Sequence, residues 1–142
     1  MAPTHVLVPL DGSPLSDEAL SHALETFDCR VTVLNVVTPV DASMSEGGVI
    51  EAGEDRVEAA RERAEALVGR ARDRAAADRV VDTAVRTGEP AETILEFVDA
   101  GDVDHVVMGG HGGERSELAR RLLGTVATAV VGEAPVTVTV VR

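Results

Sequence analysis

Short, continuous apolar runs alternate along this chain with longer stretches in which apolar residues recur every three or four positions. His5–Leu10 (HVLVPL) is the first run, and its unbroken Val/Leu character predicts a strand buried on both faces. It ends at Asp11-Gly12-Ser13-Pro14, where Ser13 can cap a helix and Pro14 suits the first helical position. Leu15, Ala19, Leu20, Ala23, Leu24 and Phe27 then recur at helical spacing, and Arg30–Val37 (RVTVLNVV) predicts a second strand. Thr38–Gly48, rich in Pro, Ser, Asp and Gly, reads as a loop. From Val49 to Ala77 a long helix is expected, weakened at Gly53 and Gly69. Val57, Ala60, Ala64, Leu67, Val68, Ala71 and Ala75 mark one narrow face of it. Residues this small suit close packing on a sheet better than a coiled-coil seam.

Arg79–Arg86 predicts a third strand, closed by Thr87-Gly88. Pro90 opens a helix with Ala91, Ile94, Leu95 and Val98 on its apolar face, stopping at Gly101. Asp104–Met108 is a fourth strand and Gly124–Val131 a short helix, after which Gly132 and Pro135 punctuate the chain. The last strand, Val136–Val141, alternates Val with Thr and so belongs at a half-exposed sheet edge. Strict β-α-β-α-β-α-β-α-β alternation predicts one α/β domain over residues 1–142: a Rossmann-like three-layer sandwich with a five-stranded parallel sheet in the order 3-2-1-4-5.

Composition narrows the function classes. No apolar run approaches the roughly 20 residues of a membrane helix, and the N-terminus lacks a secretory pattern, so a cytoplasmic protein is expected. Cys29 stands alone and is expected to act as a small buried hydrophobe. His5, His22 and His105 are scattered singly and suggest no metal site. The net charge is −12, and all thirteen basic residues are Arg. Nucleic acid is therefore excluded as an expected partner, since binding it relies on basic patches. So acidic and lysine-free a chain points to a cytoplasm of concentrated salt, where a short Debye length screens self-repulsion. A GC-rich genome would explain the missing Lys but not the excess of acid.

Two loops at expected strand ends carry chemistry. One is Pro9-Leu10-Asp11-Gly12-Ser13. The other follows Met108, where Gly109, Gly110, Gly112 and Gly113 crowd around His111. Glycines there let a ligand approach the main chain, successive N–H groups can form an anion nest, and a following helix N-terminus adds partial positive charge. A phosphate fits these properties, and so does an ordinary surface turn. Asp11 equally suits a turn, and Thr125 a helix cap. Arg115, Arg120 and Arg121 could meet phosphate oxygens or balance nearby acids. His111 sits among glycines, and acid–base catalysis requires placed geometry rather than a lone imidazole, so no catalytic role is assigned to it. With no Lys anywhere, neither a Walker-type phosphate site nor a receiver domain is expected.

The residues Val6–Ser13 (VLVPLDGS), Gly88-Glu89-Pro90, Val106–Gly112 (VVMGGHG) and Leu122–Thr125 (LLGT) resemble the universal stress protein family, adenine-nucleotide-binding type, over essentially the whole chain. That family's pattern is two glycines separated by two residues, then nine residues, then Gly-Ser or Gly-Thr. Gly109 to Gly112 matches the first half and Gly124-Thr125 the second, with eleven residues between, an insertion of two. The register starting at Gly110 leaves ten; Gly109 is preferred because it directly follows the apolar strand. The resemblance implies ATP or a related adenine nucleotide, which Mg2+ can accompany. Asp11 would lie near the ribose and adenine, the main chain of Val36 would contact adenine, and Gly109, Gly112, Gly124 and Thr125 would cradle phosphates. Pro9 and Met108 complete the cofactor-binding set. It further implies a signalling or stress-response module with at most slow ATP hydrolysis, and a homodimer through the C-terminal strand. The alternative is a nucleotide-free homodimeric interaction protein of the same fold.

Overall fold

A computed structural model describes residues 2–38, 53–75, 79–111 and 123–142. The elements are β1 (His5–Pro9), α1 (Pro14–Thr26), β2 (Arg30–Val37), α2 (Gly53–Asp73), β3 (Val81–Thr87), α3 (Pro90–Ala100), β4 (His105–Gly109), α4 (Thr125–Glu133) and β5 (Thr137–Val141). All strand pairs are parallel, in the expected order β3-β2-β1-β4-β5. The sheet divides two apolar clusters. Val6, Val8, Val31, Val33 and Val107 face α1 and α2, while Leu7, Leu34, Val106 and Met108 face α3 and α4. Because the central strands are covered on both sides, no polar alternation is needed, which is why they read as continuous apolar runs.

Local chemistry sets the boundaries. Ser13 Oγ accepts from Ser16 N–H to cap α1, and Glu89 accepts from Glu92 N–H to cap α3. Pro14 and Pro90 occupy the first helical positions. On α2, Ala60, Ala64, Val68 and Ala71 are buried, as the narrow small-residue face predicts. That helix ends at Asp73, short of the expected Ala77, and Arg74 and Ala75 form a tighter turn through bonds to Ala71 and Arg72 carbonyls. The expected helix start at 49–52 lies outside the described residues, as does most of the loop expected over 38–48. β3 begins at Val81, two residues later than expected, because Arg79 turns away to donate to the Leu24 and Cys29 carbonyls and Val80 is solvent-exposed. α4 runs through Gly132 to Glu133. Cys29 is half-buried against the core and not fully enclosed as expected.

The N-terminal end of the sheet is closed by polar contacts. The Asp104 carboxylate accepts from Thr4 N–H at 2.8 Å, Thr4 hydroxyl at 2.8 Å and His5 N–H at 3.2 Å. Desolvation works to raise its pKa, but the hydrogen bonds outweigh this and hold the carboxyl below its ordinary value. Buried His5 donates from Nδ1 to the Gly101 carbonyl at 2.9 Å, and its Nε2 lies 2.7 Å from the Thr32 hydroxyl. His105 pairs through Nε2 with the Thr139 hydroxyl at 2.8 Å and rests against Phe27. Burial pushes its pKa down; neighbouring Asp104 opposes this and His22 adds to it, for a net lowering.

At the far edge, β5 shows the exposure expected of an edge strand, with Val138, Val140 and Val141 only half-covered. No helix among the described residues is long and apolar enough to cross a membrane.

Candidate functional site

A cavity of about 590 Å3 opens at the C-terminal ends of β1, β2 and β4, between α1 and α2 on one face and α3 and α4 on the other. Its volume falls within the range of small-molecule sites, roughly 300 to 1,000 Å3. Pro9, Asp11, Val36, Met108, Gly109, Gly124 and Thr125 all line it. Gly112, the remaining expected position, lies outside the described residues, together with Arg115, Arg120 and Arg121.

The β1–α1 loop holds its shape by its own hydrogen bonds. Asp11 Oδ1 accepts from Ser13 N–H at 2.8 Å, and Gly12 takes a left-handed φ of +84° that L side chains rarely adopt. Ser16 Oγ donates to the Ser13 carbonyl at 2.9 Å. Asn35 Nδ2 donates to the Leu10 carbonyl at 2.6 Å, tying the end of β2 to the end of β1. Asp11 itself stays exposed at the cavity mouth.

In the second loop the described glycines also serve packing. Gly109, Gly110 and Gly124 have ordinary φ, so backbone freedom is not what they supply. A Cβ on Gly109 would come within 3.0 Å of Leu15 Cβ and 3.1 Å of the Leu15 carbonyl carbon, so its missing side chain lets α1 sit against β4. A Cβ on Gly124 would approach His111 Cα at 3.3 Å. Gly110 N–H donates to the Val141 carbonyl at 2.8 Å, and its own carbonyl accepts from Gly124 N–H at 2.6 Å. These two bonds fix the start of α4 beside the end of β4.

The start of α4 is chemically distinct. α1 and α3 are each capped by their own Ser13 or Glu89 side chain, whereas α4 has Gly124 at that position and no side-chain cap. The first-turn N–H groups of Thr125, Val126 and Ala127 therefore have no side-chain cap from Gly124, and these residues line the cavity. Partial positive charge at a helix N-terminus favours an anion there.

His111 also borders the cavity, and its Nδ1 is buried without a hydrogen-bond partner among the described residues. An orphaned ring nitrogen costs about 1–3 kcal/mol unless something satisfies it. Among the described residues no cluster of His, Cys, Asp and Glu could hold a metal by itself.

Ser13 of the first chemical loop also lines the cavity, as do Ser16, Asn35 and Arg63, which the sequence does not single out. Arg63 lay among the charged residues flanking the Ala-rich stripe, where position i+3 from Ala60 was the one available signal. It is exposed and forms no ion pair with the described residues, unlike Arg61 with Glu65 or Arg74 with Asp17.

Residues 3–142 match the model of the Universal stress protein family. A universal stress protein of Methanocaldococcus jannaschii is 32% identical, the alignment covering 96% of this chain and 81% of the relative. The universal stress protein UspA from Lactobacillus plantarum superposes with a TM-score of 0.81 at 23% identity, covering 100% of this chain and 99% of that one. Three further structural neighbours are complexes with adenine nucleotides: one with cAMP, one from Arabidopsis thaliana with AMP, and one from Archaeoglobus fulgidus with dAMP. The last has a TM-score of 0.60 at 22% identity over the whole of both chains.

Proposed function

Since the chain belongs to the universal stress protein family, we propose that it binds ATP or a related adenine nucleotide in the cavity between the Asp11 loop and the start of α4. The uncapped α4 N-terminus carries the reading: it presents donors and partial positive charge at the wall where Gly109, Gly124 and Thr125 meet. Asp11 and the main chain of Val36 take the ribose and adenine end. Pro9 and Met108 supply apolar walls. Mg2+ can accompany the phosphates, held by water and at most one or two carboxylates. Binding then acts through conformation or assembly in a stress-response or signalling role.

Mass spectrometry of nucleotide released from the purified protein, joined to titration calorimetry in high salt, tests this. Bound adenine nucleotide or a saturable heat with ATP is the expected result; the absence of both overturns it.

The half-covered valines of β5 favour a second reading, a homodimer formed by this edge strand with or without nucleotide. Light scattering with and without ATP distinguishes the cases. A dimer of unchanged mass in a protein that binds no nucleotide would replace the first reading with an interaction protein of the same fold.

A further inference from the structure

Arg63 is the one arginine that the described residues bring to the cavity. It lies on α2 next to Ala64 and between Ala60 and Leu67, and all four residues line the same wall. Its guanidinium has no hydrogen bond or ion pair with the described residues, although acidic residues outnumber arginines 25 to 13 in the chain. Close neighbours do find carboxylates: Arg61 reaches Glu65 at 3.8 Å and Arg74 reaches Asp17 at 3.3 Å. Arg63 thus lines the cavity without a partner among the described residues.

Its position decides what it meets. α2 packs on β2 and β3, and sheet order places β1 between β2 and β4. Arg63 therefore borders the cavity from the side of β2, whose Asn35 and Val36 also line it. The anion-binding start of α4 belongs to the other side, beyond β1. A guanidinium offers only donors in a flat fork, suited to ring nitrogens, to ribose oxygens or to stacking on a base.

We infer that Arg63 contacts the base-and-ribose end of the bound nucleotide and not its phosphates, an assignment that rests on the nucleotide reading above. It makes α2 part of the recognition surface, so that a ligand is gripped from the β2 side by a side chain and from the β4 side by main chain.

Calorimetry on the full chain with ATP, AMP and adenosine tests the assignment, comparing the unaltered protein with Arg63→Ala and Arg63→Lys. Ala is favourable at an exposed helical site, and circular dichroism checks that the fold is kept. The expected result is a loss of about tenfold with Arg63→Ala, equal for all three ligands, and a smaller loss with Arg63→Lys. Unchanged affinity in Arg63→Ala overturns the assignment while leaving the nucleotide reading intact. A loss confined to ATP and AMP, with adenosine unaffected, overturns it by moving Arg63 to the phosphates. An unaltered protein that binds none of the three overturns the nucleotide reading itself.

Discussion

At the N-terminal end of the sheet, polar groups are matched within the chain: Asp104 takes three donors from Thr4 and His5, His5 uses both ring nitrogens, and His105 finds Thr139. At the C-terminal end, among the described residues, Nδ1 of His111 is buried without a partner, Arg63 has no counterion, and α4 starts without a side-chain cap. Both ends draw on the same residue types, so composition does not distinguish them. What differs is whether hydrogen-bonding capacity is spent inside the fold or left over. A matched end stabilises, while unmatched groups around a cavity cost stability and are suited to a ligand that satisfies them. The contrast predicts that changes at the first end alter stability and that changes at the second alter binding.

The largest effect is expected from His5→Ala. It opens a cavity and strands the Thr32 hydroxyl and the Gly101 carbonyl, so urea unfolding should show a loss of about 2–4 kcal/mol. ATP affinity measured well below the transition should stay unchanged; a parallel loss of affinity would dissolve the contrast. Gly124→Val attacks the other end. A side chain there crowds His111 and the start of α4, and calorimetry should show ATP binding weakened at least tenfold, about 1.4 kcal/mol. Gly109→Val is a poorer probe, because it collides with Leu15 and destabilises the α1–β4 packing by about 1–3 kcal/mol.

Acid provides a smaller and graded test. The folded pKa values of His105 and Asp104 both lie below their ordinary values of 6.5 and 3.8. The unfolded chain therefore binds more protons as pH falls. Their stabilisation is complete above about 6.5, declines first through the lowered His105 range, and is lost again below about 3.8 as Asp104 protonates. Asp104→Asn should lower stability at neutral pH and flatten the acidic limb of a Tm-against-pH profile. A limb as steep as before would remove Asp104 from the account. The least difference between the two ends is expected from salt, which screens a net charge of −12 spread over the whole chain. Tm should rise from dilute to multimolar salt, and a flat profile would count against adaptation to a saline cytoplasm.

Much of the fold was legible in local pattern. The continuous apolar runs at His5–Leu10 and His105–Met108 could only be strands covered on both faces, and Ser13-Pro14 and Pro90 marked helix starts where the structure has them. Boundaries slipped where a distant residue intervened, as when Arg79 bonded to Leu24 and Cys29 and left β3 to start at Val81. The site was legible through its two loops and the family they resemble. Its α2 wall was not, because Arg63 is separated from Asp11 by fifty-two positions and carries no periodic signature of its own.

What the sequence determined by itself was the order of elements, the parallel sheet that alternation requires and the two loops bordering its crevice, since periodicity, caps and turns act within a few residues. Only the tertiary structure decided which polar groups are left unmatched, that Arg63 joins the cavity, and why Gly109 is a glycine. That last reason is Leu15, whose approach to β4 leaves no room for a Cβ. Such facts depend on distances between segments far apart in the chain, and no local pattern records a distance of that kind.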